Sequence, residues 1–316
     1  MIIKCAIATI SLIFSLASSL CTANSSFTVT LLGTGTTEID FKRFGPSTLV
    51  EIENKLFLFD TGRGAAIRLS QIDRPRELFS RLQQIFLTHL HSDHVVGLPD
   101  IYMTGWIMHN DKKLTITGPP GTAAMLNHLR QAFERDIYFR HELDTKYSAL
   151  GLDVVVNEIT NEMSVFDQDG IKITAFLVDH GEIRPAFGYK IEALNKKVVL
   201  SGDTKYSQDV IEQAKNADLI IHEVSLASPQ YVQQLPQLKQ VLSHHTLPEQ
   251  AGQVFEQAKV KHAVYNHVWT LGISKEELLQ QTRKHYHGPL YIGQDLMQFS
   301  IGDTVEIASE NLQIHP

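Results

Sequence analysis

Cysteine is almost missing: Cys5 and Cys21 are the two in 316 residues, and both fall in the opening stretch. From Asn24 onward no disulfide can form, and any metal would have to be held by nitrogen and oxygen rather than thiolate. Positive charge is short as well. Lys and Arg number 28 against 35 Asp and Glu, for a net charge of −7. That balance argues against a general nucleic-acid binder, whose affinity comes from cations neutralising phosphates. The sequence also lacks internal repeats, low-complexity tracts and any linker that would divide it. With 43% hydrophobic residues it is rich enough to bury a core and excludes wholesale disorder.

Long apolar runs are lacking too. The opening "MIIKCAIATISLIFSLASSLCTANS" has one early cation, Lys4, and an apolar stretch from Ala6 to Leu16 that is short and Ser-rich for a membrane span. Cys21-Thr22-Ala23 fits a small-x-small cleavage site before Asn24. Residues 1–23 are therefore expected to be a signal peptide, and 24–316 a single domain exported to the periplasm or secreted, with no stable membrane anchor after cleavage. An uncleaved anchor and a buried first helix are the alternatives.

Apolar patterning predicts strands at 27–33, 47–53, 55–62, 84–89 and 113–121, with helices over 65–82, 100–110 and from the 121 turn through about 135. The second half reads as strands 171–180, 186–194, 197–204, 218–224 and 262–267, then "LYIG" and "TVEIA". Its helices fall near 207–215, 247–258 and 274–285. In each half, antiparallel strands come first and then strands alternate with helices. Two such halves predict stacked sheets flanked by helices.

Polar residues gather where the strands end: His89, His180, Asp203, His222 and His267. Strand ends on a rigid scaffold are favoured places for a site. The densest stretch is "THLHSDH". His89 and His91, two apart, point the same way in an extended segment, while Asp93 and His94 lie past a bend and can face a second point. Neutral imidazole and carboxylate suit zinc, and also manganese or iron. The bland alternative is a solvated His-rich loop, which four ligand-type residues in six positions after a buried strand make a poor account.

This stretch is the His-x-His-x-Asp-His motif, and the chain resembles the metallo-β-lactamase superfamily from about Phe27 to its end. The resemblance implies an αββα four-layer sandwich with a dinuclear zinc site at one edge of the sheets. "VDHGEIRPAFGY", "LSGDT" and "YNH" resemble later ligand segments. One metal would then be held by His89, His91, His180 and Asp203, the other by Asp93, His94, Asp203 and His267. Asp93 is also counted with the catalytic residues. "HEVS" and "SHHT" resemble segments that supply a Glu–His proton relay, which implies that Glu223 orients His244, in preference to His245, as general acid. "SHHT" read on its own is a helix-cap turn with Thr246 as N-cap. Asp60 in "FDTGRG" is either a supporting residue or a turn former. Trp106 is a core residue or a pocket wall, and Arg63, Arg140 and Arg184 are candidate anion contacts.

In tRNA-processing ribonuclease Z a long arm separates Phe-Gly-Tyr from Ser-Gly-Asp-Thr. Here Tyr189 and Ser201 are only twelve positions apart. The "NHVWTLG" segment also lacks the Ser-Arg pair of that family. "GEIRPAFGYK", "TGW" and "GPPGTAAML" look like the exported arylsulfatase-type branch. The expectation is thus an exported dinuclear zinc hydrolase of aryl sulfates or related sulfate or phosphate esters. Its partner would be a small anionic ester and not nucleic acid, with a homodimer as an option. The alternatives are a ribonuclease Z-like phosphodiesterase, a lactonase and a non-catalytic metal-binding protein.

Overall fold

A computed structural model describes residues 26–144 and 146–308. The leader expected over residues 1–23 lies outside them. Among the described residues no helix is long and apolar enough to cross a membrane.

The first sheet contains β1 (Phe27–Gly33), β2 (Ser47–Ile52), β3 (Lys55–Phe59), β4 (Gln84–Phe86), β5 (Leu114–Gly118) and β6 (Val154–Glu158). The second contains β7 (Met163–Gln168), β8 (Ile171–His180), β9 (Ile183–Ala193), β10 (Lys196–Leu200), β11 (Leu219–Ala227), β12 (Ala263–Leu271) and β13 (Leu290–Ile292). The closing strands β14 (Gln298–Ile301) and β15 (Val305–Ala308) return to the first sheet, beside β1. In both sheets an antiparallel run passes into a parallel one, at β3–β4 and at β10–β11. The two halves therefore repeat one plan, as the order of elements predicts.

Strand alternation makes the layers. Val198 and Leu200 of β10 face the apolar centre between the sheets, with Phe57, Phe86, Phe187 and Tyr189. Val199, between them, faces the helices on the other side, with Val254 and Phe255. A third apolar cluster lies under the helices of the first half, around Leu58, Phe79, Ile85 and Trp106. Three apolar seams separate four layers, so the αββα sandwich is what the chain forms. Each large side chain buried there contributes roughly 1.5–3 kcal/mol.

The helix expected over 65–82 is two, Ala65–Gln71 and Pro75–Arg81. Pro75 cannot supply the N–H that a continuous helix needs, and Arg74 before it turns left-handed at φ 64°. The helix expected to run through 135 stops at Ala132 and gives way to Glu134–Tyr138 and a π-turn at Phe139–Leu143. β6 and β7 escape the sequence pattern because each lies at a sheet edge with mostly half-exposed or exposed residues. Helix Pro248–Ala258 has Leu247 as its N-cap, one residue beyond Thr246.

The loop after β1 is locked from the far end of the chain. Asp295, buried, accepts from Thr34 N (3.0 Å), Thr34 Oγ1 (2.8 Å), Phe44 N (2.8 Å) and Arg68 Nε (2.9 Å). Arg68 also stacks on the Phe44 ring at 4.2 Å. Both charged side chains are nearly solvent-free, 6% and 1% exposed. Removing one partner strands the other, so Asp295→Ala is expected to cost about 3–5 kcal/mol. Urea unfolding would show this as a lower midpoint at an unchanged m-value.

Candidate metal centre

β4 delivers His89 to one end of the sheets. The chain stays extended through His91 (φ −62°, ψ 144°) and then makes one helical turn, Ser92–Val95, which turns Asp93 and His94 away from the first pair. β8 ends on His180, and Asp203 follows β10. His267 arrives by a bulge. Glu223 pairs with Asn266 and Val224 with Val268, so His267 is the extra residue, at φ 43°. A bulge re-aims a side chain that regular pairing would hold in the sheet.

The seven expected ligands meet. Ligand atoms of His89, His91 and His180 lie within 4.8 Å of one another, as do those of Asp93, His94 and His267. Asp203 stands between the two groups. Its Oδ2 is 3.3 Å from His94 Nε2 and from His267 Nε2, and 3.9 Å from His89 Nε2 and His180 Nε2. His94 Nε2 is fully buried with no hydrogen-bond partner. A buried polar atom in that state calls for a ligand. The donors are all nitrogen and oxygen, so the residues fit zinc, with manganese or iron also accommodated.

Outer partners orient the rings. Asp60 Oδ2 holds His94 Nδ1 at 2.8 Å, and the same carboxylate accepts from Thr88 N and Thr88 Oγ1. Its backbone is left-handed, φ 56°, so Asp60 both shapes the turn and supports the His94 ring. His180 Nδ1 donates to the carbonyl of His244 at 3.0 Å. Such contacts fix which nitrogen faces the metal. Asp60→Ala is expected to weaken zinc binding about 10–100-fold, measurable by competition with a chromophoric chelator.

Electrostatics favour the metal-ready forms of His89, His91, His180 and Asp203, but not of His94. Burial lowers the pKa of His89, and positive neighbours such as His94 add to it. Burial also lowers His91 and His180, leaving neutral imidazoles, the state in which His binds metal. Asp203 is held well below the usual carboxylate range, against the effect of burial, by His267 and His94. His94 is raised well above the ordinary range; burial opposes this but Asp203 and Asp60 outweigh it.

The expected Glu223–His244 pairing is corrected. Glu223 Oε1 faces His245 Nδ1 at 3.1 Å, and Thr246 N donates to the same oxygen at 2.9 Å. His245 is buried and stacks on His267, ring centres 5.5 Å apart and 15° from parallel. It also lies within ligand distance of His180 and Asp203. His244 is half-exposed; its ring packs against Gly181, and its carbonyl holds His180. The reason is local: Ser225 N donates to the Thr246 carbonyl, tying Thr246 to β11 and leaving its immediate neighbour beside Glu223.

The arginines divide. Arg184, exposed, donates from Nε to the Gly181 carbonyl at 2.8 Å, next to His180. Arg63 is half-buried beside Gly45, on the loop against Asp93. Arg140, within the π-turn, pairs with Asp136. Trp106 is core: its ring is buried and its Nε1 donates to the Ser148 carbonyl at 3.0 Å.

Residues 55–268 match the family described as the Beta-lactamase superfamily domain. Ribonuclease Z of Mycobacterium bovis (strain BCG / Pasteur 1173P2) is 33% identical over 86% of this chain and 98% of its own length. Ribonuclease Z of Mycobacterium sp. (strain KMS) is 34% identical over 76% of this chain and 83% of its own. Among solved structures, the short form of human tRNase Z superposes with a TM-score of 0.65 at 24% identity, over 87% of this chain and 99% of that one. The metallo-β-lactamase fold protein YhfI from Bacillus subtilis superposes equally well, TM-score 0.65 at 16% identity, over 87% of this chain and 100% of that one. The chain thus belongs to the metallo-β-lactamase superfamily. Within it, the chain falls with the ribonuclease Z relatives.

These relatives overturn the arylsulfatase reading. They carry the name of a ribonuclease over most of the chain, and nothing points to an arylsulfatase branch. The expectation of a small anionic ester in place of nucleic acid falls with it, as does that of a periplasmic arylsulfatase. The site gives the physical reason. Paired cations serve sulfate and phosphate esters alike, so the ligands do not choose between them. Of the segments that suggested the sulfatase branch, "TGW" is structural, since Trp106 is core. The arm is indeed absent, since β9 turns directly into β10 at Leu194–Asn195, both left-handed (φ 52° and 59°). Its absence does not separate the chain from relatives of that name.

Proposed function

We propose that the chain is a metal-dependent phosphodiesterase of ribonuclease Z type that cleaves RNA. The observation that carries this reading is the Glu223–His245 pair standing against the seven converged ligand side chains. A ligand cluster alone would suit storage or sensing; a buried proton donor beside it suits bond cleavage.

His89, His91 and His180 would hold one cation and Asp93, His94 and His267 the other, with Asp203 shared. Divalent cations bound there activate water as a nucleophile and neutralise charge on the phosphoryl oxygens. The chain's own residues do the rest. Glu223 fixes the His245 ring through Nδ1, which leaves Nε2 to give its proton to the departing oxygen. Asp60 and the His244 carbonyl keep His94 and His180 aimed inward. Net negative charge does not bar RNA, because the phosphate would meet the local field of the cations.

The test is turnover by the full chain loaded with zinc. Expected is cleavage of an RNA precursor with a 3′ extension and of bis(4-nitrophenyl) phosphate, with 4-nitrophenyl sulfate left nearly untouched. Faster hydrolysis of the sulfate than of either phosphodiester would sink the reading.

A further inference from the structure

Beside the metal centre runs a second cleft, of about 220 Å³, between the loop after β1 and the far end of β12. Thr36, Glu38 and Arg43 form one wall, and Trp269, Ser274 and Lys275 the other. It is smaller than the roughly 300–1,000 Å³ of pockets that enclose a whole ligand. It is therefore sized for one unit of a longer molecule.

Trp269 links this cleft to the chemistry. It follows His267 by two residues on β12, and its ring centre is 6.5 Å from that of His245. The half-buried indole is held in place: its Nε1 donates to Glu38 Oε1 at 3.2 Å. Val268 N donates to the Thr34 carbonyl at 3.1 Å, tying the two walls together. The opposite wall is fixed in turn by Asp295 through Thr34 and Phe44. Arg43 donates from NH1 to Thr34 Oγ1 at 2.9 Å. A flat ring on a rigid mount, with carboxylate, hydroxyl and cationic groups around it, suits a planar heteroaromatic partner with donors and acceptors on its edge. Stacking on such a platform tolerates any base, because every base has a π-face.

We propose that this cleft is a nucleobase subsite on the leaving-group side of the scissile bond, with Trp269 as its stacking platform. The side follows from His245: the group that takes its proton departs past it, toward Trp269. The inference rests on the phosphodiesterase reading for its place in the reaction, though not for the binding itself.

The bond broken is P–O3′, so the leaving nucleotide carries the scissile phosphate on O3′. The probes are adenosine 3′-monophosphate and ribose 3-phosphate, which share that phosphate and differ by the base. With zinc-loaded full-length protein, calorimetry should give tighter binding of the nucleotide by about tenfold or more, the size of one base–aromatic stack. Trp269→Ala should erase that preference and Trp269→Phe should keep most of it. The chain has two tryptophans, and Trp106 is buried. The nucleotide should therefore quench fluorescence in the natural protein and not in Trp269→Phe. Equal binding of the two probes, or a preference that survives Trp269→Ala, would overturn the subsite. A base preference in a protein that cleaves no phosphodiester would instead sink the proposed function and leave the cleft standing.

Discussion

Asp203→Ala is expected to lower bound zinc from two equivalents to one or fewer and to cut phosphodiester turnover on the order of 10³-fold or more. The magnitude follows from losing several kcal/mol of charge stabilisation from the paired cations. The geometry says why this residue outranks the others. Its Oδ2 is the oxygen placed near the Nε2 atoms of His89, His94, His180 and His267 alike, at 3.3–3.9 Å. Asp203 thus stands within reach of histidines from both candidate ligand groups. It is also the buried negative charge that offsets a crowd of imidazoles. Plasma emission analysis of the purified variant, beside steady-state rates, checks both halves. Full occupancy at two equivalents together with lost activity would show that Asp203 does not share the cations.

The cluster of candidate ligands was legible in the sequence because three signals coincide on most of its residues. They follow apolar strands, they are metal-binding types, and most stand in recognisable local segments. The sandwich was legible because the strand and helix order repeats in the two halves. Edge strands β6 and β7 were not, since their exposed faces leave no clean alternation. The partner of Glu223 was misplaced by one residue, because His244 and His245 are adjacent on a turn and nothing in their types separates them. Pro248 carried a usable signal. It fixes the first helical residue and makes Leu247 the N-cap, which keeps the chain before it from being a free cap turn. Substrate class was the least legible feature. It rests on surfaces such as the Trp269 cleft, assembled from segments more than two hundred residues apart, such as Thr36 and Trp269.

His245→Ala should separate substrates by their leaving groups. Turnover of RNA, whose leaving oxygen is a poor one, should fall about 10²–10⁴-fold, the range for losing a positioned general acid. Bis(4-nitrophenyl) phosphate should be far less affected, because nitrophenolate departs without needing a proton. His244→Ala keeps the backbone carbonyl that holds His180 and should change either rate little. The pH profile carries the same signature. Burial opposes the charged form of His245, yet Glu223 raises its pKa to about 9. A raised pKa keeps the imidazolium, and hence the donor, in place below that value and loses it as pH rises through it. Bound cations repel the imidazolium, so the alkaline fall in RNA cleavage should lie at or below pH 9. It should be missing with the nitrophenyl ester and moved to lower pH by Glu223→Gln, which lacks the charge that raises the pKa. Equal losses on both substrates in His245→Ala, or a large effect from His244→Ala instead, would return the proton to another group.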